Sequence, residues 1–115
     1  MKYVCLVYWN DTYWDTASPA EADAMREENR AFDDELKSSG QLLYAQALQS
    51  VQTATTVRVR NGRATTQDGP FTETKEVLGG FILIEARDLN EAIQVATRMP
   101  AARVGSVEVR PVLEL

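Results

Sequence analysis

The amino-acid sequence predicts an α+β fold of the ferredoxin-like kind, a split β-α-β repeat with a hairpin inserted in its middle. Three observations carry this reading. Two capping boxes, Ser18-Pro19-Ala20-Glu21 and Asp88-Leu89-Asn90-Glu91, each open a helix by pairing its unsatisfied amide groups. Apolar runs of strand length flank both helices, so that strand, helix, strand occurs twice. Between the two halves, Asn61-Gly62 joins alternating segments, and this dipeptide is the strongest short hairpin signal because both turn positions need positive φ.

Taken in order, Tyr3-Val4-Cys5-Leu6-Val7-Tyr8-Trp9 is β-branched and aromatic and suits a central strand covered on both faces. A polar and aromatic loop, residues 10–17, leads to the first helix, in which Pro19 takes the first helical position. Ala22, Met25, Phe32 and Leu36 share one face of it, and Gly40 ends it. Gln41 to Leu48 is the second strand, with Leu43, Ala45 and Ala47 alternating against Leu42, Tyr44, Gln46 and Leu48. The hairpin pairs Thr55 to Arg60 with Arg63 to Gln67, and Asp68-Gly69-Pro70-Phe71 follows as a tight turn. Thr72 to Val77 is polar, with room for one helical turn. Gly79-Gly80 leads into a buried strand at Phe81 to Ala86, and the second helix sets Leu89, Ala92, Ile93 and Ala96 on one stripe before Pro100 stops it. Ser106 to Leu113 closes the chain as a strand that Pro111 assigns to a sheet edge.

At 115 residues and 12.8 kDa, residues 1–115 make one domain. The sheet is apolar on both sides but has only two helices to cover it, so the sequence predicts a homodimer formed sheet face to sheet face. Net charge is −5, and the surplus is local: residues 1–50 hold four basic and nine acidic side chains, residues 51–115 eight of each. Most of the excess lies from Glu21 to Glu35 on the solvent side of the first helix. An acidic chain of pI near 4.7 argues against nucleic-acid binding. No run is long enough for a membrane helix and no signal segment is visible, so the expected location is cytoplasmic. With no His and a single Cys, the sequence excludes imidazole-based catalysis and His or thiolate metal sites, and no cofactor or metal is expected.

Asp68-Gly69-Pro70-Phe71, followed by Glu73, Lys75, Glu76, Leu78, Gly79 and Gly80, resembles the DGPF-domain branch of the YCII-related superfamily. The resemblance extends over essentially the whole chain, from Met1-Lys2-Tyr3 through Arg98-Met99-Pro100 to Gly105-Ser106-Val107-Glu108-Val109-Arg110-Pro111-Val112. It implies a dimeric α+β barrel of ferredoxin-like subunits, in agreement with the fold read from the elements. Most DGPF-type proteins have no assigned reaction, and some are encoded beside or fused to extracytoplasmic-function sigma factors. Other branches resemble small enzymes that use a His and Asp pair, including a dehydrochlorinase. That pair is not carried over to a chain without His, and its acidic half matches Asp68.

Asp68 is therefore the candidate catalytic residue, a proton acceptor at a strand end beside Phe71 if partial burial raises its pKa, or else a turn residue. Lys75 is a candidate anion holder tuned by Glu73 and Glu76, or else the three form a solvated charged turn. Arg110, with Arg103 assisting, either grips a substrate carboxylate or forms an ion pair. Tyr8, Trp9, Tyr13 and Trp14 line a pocket or finish the core and staple the first helix. Arg58, Arg60 and Arg63 make the hairpin basic, and Cys5 reads as inert packing. Two functions follow: binding or transformation of a small organic acid by Asp-based proton transfer, or a non-catalytic module that presents its acidic helix or basic hairpin to a partner such as a sigma factor.

Overall fold

A computed structural model describes residues 1–115. The elements are β1 (Lys2–Trp9), the single turn α1 (Tyr13–Thr16), α2 (Pro19–Ser38), β2 (Leu42–Ala47), β3 (Thr55–Arg60), β4 (Arg63–Asp68), β5 (Val77–Glu85), α3 (Leu89–Thr97) and β6 (Gly105–Pro111). Short 3-10 turns lie at Val51–Thr53 and Pro100–Arg103. Four strands form one antiparallel sheet in the order β2-β5-β1-β6, the ferredoxin-like arrangement, while β3 and β4 form a sheet of their own.

Local chemistry sets the helix limits. Ser18 Oγ accepts from the Glu21 amide at 3.1 Å, and Asp88 Oδ1 from the Glu91 amide at 2.9 Å. Gly40 ends α2 at φ 79°, where a side chain would be strained. In the hairpin turn Asn61 and Gly62 adopt φ 54° and 74°. Ala22, Met25, Phe32 and Leu36 are the buried residues of α2, as its spacing requires. Phe32 and Leu36, with Ala92 and Val95 of α3, pack on Tyr3, Cys5, Val7, Ile82 and Ile84, so both helices cover the same face of the sheet.

Several expectations are corrected. A bulge between Leu42 and Tyr44 breaks the alternation of β2, so Leu42 and Ala45 pack on the core and Leu43 stays exposed. The buried stripe of α3 is Ala92, Val95 and Ala96, with Leu89 and Ile93 on its exposed shoulder, because the small alanines bring the helix closest to the sheet. Residues 72–76 form no helical turn, and β5 begins at Val77, four residues before the expected start. Gly79 and Gly80 belong to that strand because neighbours approach too closely for a side chain: a Cβ at Gly79 would lie 2.3 Å from the Trp9 ring, and one at Gly80 2.9 Å from the Gln46 carbonyl oxygen. Pro111 does sit on an edge, since β6 pairs only with β1.

Register assigns Val4, Leu6 and Tyr8, with Phe81 and Leu83, to the opposite face, which no helix covers. The molecule is a plate of 47 × 43 × 19 Å. It exposes 8005 Å² of surface, whereas a compact monomer of its mass exposes about 6,300 Å².

Candidate functional site

Two concave regions lie on opposite faces of the sheet. On the helix-free side, Tyr8 and Leu78 form a cleft of about 650 Å³ with Phe71, Thr56 and the Val51–Thr53 turn. It is continuous through Val51, Pro70, Thr74 and Val77 with a second hollow of about 480 Å³ that holds Asp68 and Glu73. Of the residues picked out from sequence, Tyr8, Asp68 and Glu73 thus share one groove.

Asp68 ends β4, opposite Thr55, and is exposed, so the partial burial that would make it a strong proton acceptor is absent in the single chain. Its carboxylate makes no hydrogen bond, and the turn is held by backbone instead, with the Gly69 amide donating to the Ala54 carbonyl at 2.7 Å and Gly69 at φ 95°. Lys75 and Arg110 line neither part of this groove. Lys75 is exposed, and Arg110 pairs with Glu108 on the helix-free side of β6. Glu76 accepts a hydrogen bond from Ser106 Oγ at 2.7 Å, and Arg103 pairs with Glu28 of α2. The expected grouping of Asp68, Lys75 and Arg110 does not form within one chain.

The aromatic cluster divides. Tyr8 lines the cleft, while Trp14 meets Trp9 edge-on at 5.9 Å and Tyr13 at 5.1 Å, with the Arg26 guanidinium 5.3 Å from its ring centre, pinning the start of α2. Cys5 is fully buried, and burial pushes its thiol up to about 11, so it is inert packing. No group of three or more His, Cys, Asp or Glu is placed to hold a metal, and no helix is long and apolar enough to cross a membrane.

Beneath α2, on the covered face, lies a crevice of about 200 Å³. Asn29, Phe32 and Asp33 form its roof, Trp9 one wall, and Gly79 with Gly80 part of its floor, where the Trp9 ring and the Gln46 backbone lie close against the two glycines. Asn29 and Asp33 are four residues apart on one helix face and are both partly buried. Desolvation pushes the Asp33 carboxyl above its ordinary range, the like charge of Asp34 adds to the rise, and Lys37 partly offsets it. Asp33 also borders an adjoining hollow of about 420 Å³ that contains Lys37 and Tyr44. A carboxyl of this kind, facing an apolar slot beside an amide, can take a proton from a bound hydroxyl while Asn29 donates to the oxygen left behind.

Sequence reasoning missed this pair by treating the acidic run of α2 as solvent-facing. A signal was present: Asn29 falls on the stripe of Ala22, Met25, Phe32 and Leu36, where every other member is apolar and buried.

The YCII-related domain matches residues 1–115. An uncharacterised protein of Rhizobium meliloti (strain 1021) is 34% identical over 113 residues, which covers 96% of this chain and 91% of that protein. Among solved structures, the 5-chloro-2-hydroxyhydroquinone dehydrochlorinase of Burkholderia phenoliruptrix AC1100, in complex with 2,5-dihydroxybenzoquinone, superposes with a TM-score of 0.51 at 13% identity, covering 98% of this chain and 94% of that one. The likeness is one of fold.

Proposed function

The chain belongs to the YCII-related domain family, and from that premise we propose that it is a DGPF-type homodimer that binds a small, weakly acidic ring compound in the crevice beneath α2, with Asp33 as proton acceptor. The observation that carries this reading is the placement of Asp33 and Asn29 over an apolar slot floored by two glycines. A slot of about 200 Å³ suits one ring, since an apolar cavity of roughly 150 Å³ takes benzene. The fold neighbour was solved with a single hydroxylated ring bound. A phenol or enol satisfies the expectation of a small organic acid: its hydroxyl donates a hydrogen bond to the Asp33 carboxylate and its oxygen accepts one from the Asn29 amide, with Lys37 in the adjoining hollow.

The dimer rests on the bare apolar face and on the surface exposed beyond that of a compact monomer. A second reading keeps the proton acceptor at Asp68, favoured by the continuity of its hollow with the Tyr8 cleft.

Calorimetry of hydroquinone binding across the acidic to neutral range tests both. A carboxylate accepts a phenolic hydrogen bond more strongly than a neutral carboxyl does, so affinity should tighten as pH rises through the elevated Asp33 range. Asp33→Asn should abolish that dependence and weaken binding roughly tenfold at neutral pH, while Asp68→Asn leaves both unchanged. The reverse pattern selects Asp68. Absence of binding in the parent protein, together with co-purification of a sigma factor, selects the interaction module.

A further inference from the structure

We propose that Arg98 and Arg103 are positioning residues for the crevice beneath α2: they clasp the helix along one flank, hold Phe32 over the slot and so limit it to a single ring. The proposal rests on the crevice as the ligand site and adds what sets its width. In the segment from Arg98 to Arg103, Met99 and Ala101 are buried and line the crevice. The two ends of the segment carry the arginines, Arg98 donating to Glu35 and Arg103 to Glu28, each at 2.5 Å. One short stretch is therefore both a wall of the slot and the fastening of its roof.

Helical geometry places the fastening. Glu28, Phe32 and Glu35 stand at i, i+4 and i+7 on α2, so they share a stripe about 10 Å long with Phe32 between the two carboxylates. Phe32 is part of the roof, and the Arg98 guanidinium lies 5.7 Å from its ring centre, within reach of a cation–π contact. On the other flank of the helix, Arg30, Asp33, Asp34 and Lys37 line the adjoining hollow with residues of β2. That strand contains no charged residue, and every remaining ion pair of α2 joins two of its own side chains. The helix is thus tied by charge along one edge only. A slot of about 200 Å³ is close to the roughly 150 Å³ that takes benzene, so a small rise of the roof decides whether a second fused ring fits.

Calorimetry with hydroquinone and its two-ring counterpart naphthohydroquinone reads the clasp through selectivity. Both ion pairs are exposed, so Arg98→Gln and Arg103→Gln should each weaken hydroquinone binding by about threefold. Naphthohydroquinone binding should hold or tighten, so that the preference for one ring falls. Added salt should weaken hydroquinone binding to the parent, because it screens the ion pairs while the ligand is uncharged, and should leave the double variant unaffected. Arg98→Lys keeps a cation beside Glu35 and Phe32, and Arg103→Glu combined with Glu28→Arg restores the second pair with its charges exchanged. Both should bind as the parent does. Equal weakening of the two ligands, a salt-insensitive parent, a parent without preference for one ring, or no rescue would each overturn the clasp. If Asp33→Asn weakens hydroquinone binding while the glutamine variants do not, the clasp falls and the site stands. If Asp33→Asn has no effect either, both fall.

Discussion

On the helix-facing side of the main sheet, Tyr3, Cys5, Val7, Ile82 and Ile84 are 7% exposed or less. On the other side their strand neighbours Val4, Leu6, Phe81 and Leu83 remain partly open to solvent. The same strands and the same apolar residue types supply both faces, so pattern alone does not separate them. What separates them is the number of helices, which suffices for one face. The covered face holds a slot in which a carboxyl is desolvated, and the bare face holds a broad apolar area. The proposed ligand crevice and the proposed dimer face therefore lie on opposite sides of one layer.

The largest expected effect breaks the covered face. Ile84→Ala should cost about 2–5 kcal/mol in urea unfolding, because a fully buried side chain leaves a cavity. Its neighbour across the pleat should behave differently. Leu83→Ala should leave the secondary structure intact and act on association, raising the dimer constant by roughly tenfold, or about 1.4 kcal/mol, in light scattering against concentration. Equal losses of folding stability without any change in association would erase the distinction between the faces.

Gly79→Ala sharpens it further. The added Cβ displaces the Trp9 ring that walls the crevice, so hydroquinone binding should fall severalfold while the dimer persists. A variant that binds as the parent does would move the ligand elsewhere.

The smallest effect is the pH dependence of Asp33. Its folded-state pKa is raised, so its favourable contribution is complete below the unfolded Asp range and is lost as pH rises through the folded value. Asp33→Asn should therefore raise the neutral-pH melting temperature slightly and change it less in acid, as differential scanning calorimetry would record. A melting temperature lowered at neutral pH would mean that the carboxylate is held by a stabilising partner.

How far these features were legible in sequence depends on range. The two helix caps, the stripe of α2 and the Asn61-Gly62 turn are set by residues within a few positions of one another, and each was readable. The early start of β5 was not, because Gly79 is shaped by Trp9, seventy residues away. Neither was the β2 bulge, which depends on pairing with β5. For the site, Asp68 and Glu73 were chosen from one local motif and Tyr8 from the aromatic cluster after β1, and the three do share a groove, whereas Lys75 of the same motif and Arg110 belong to other surfaces. Asn29 stood out in principle as the polar member of an apolar stripe, but the desolvation of Asp33 arises only when β2 and β5 close beneath it.

The most direct test follows the backbone amide resonances of isotope-labelled protein while hydroquinone is added. Shifts concentrated at Asn29, Asp33, Gly79 and Gly80, with Tyr8 and Phe71 unmoved, are the result expected if the covered face carries the ligand. Shifts at Tyr8, Asp68 and Phe71, with α2 silent, would contradict it.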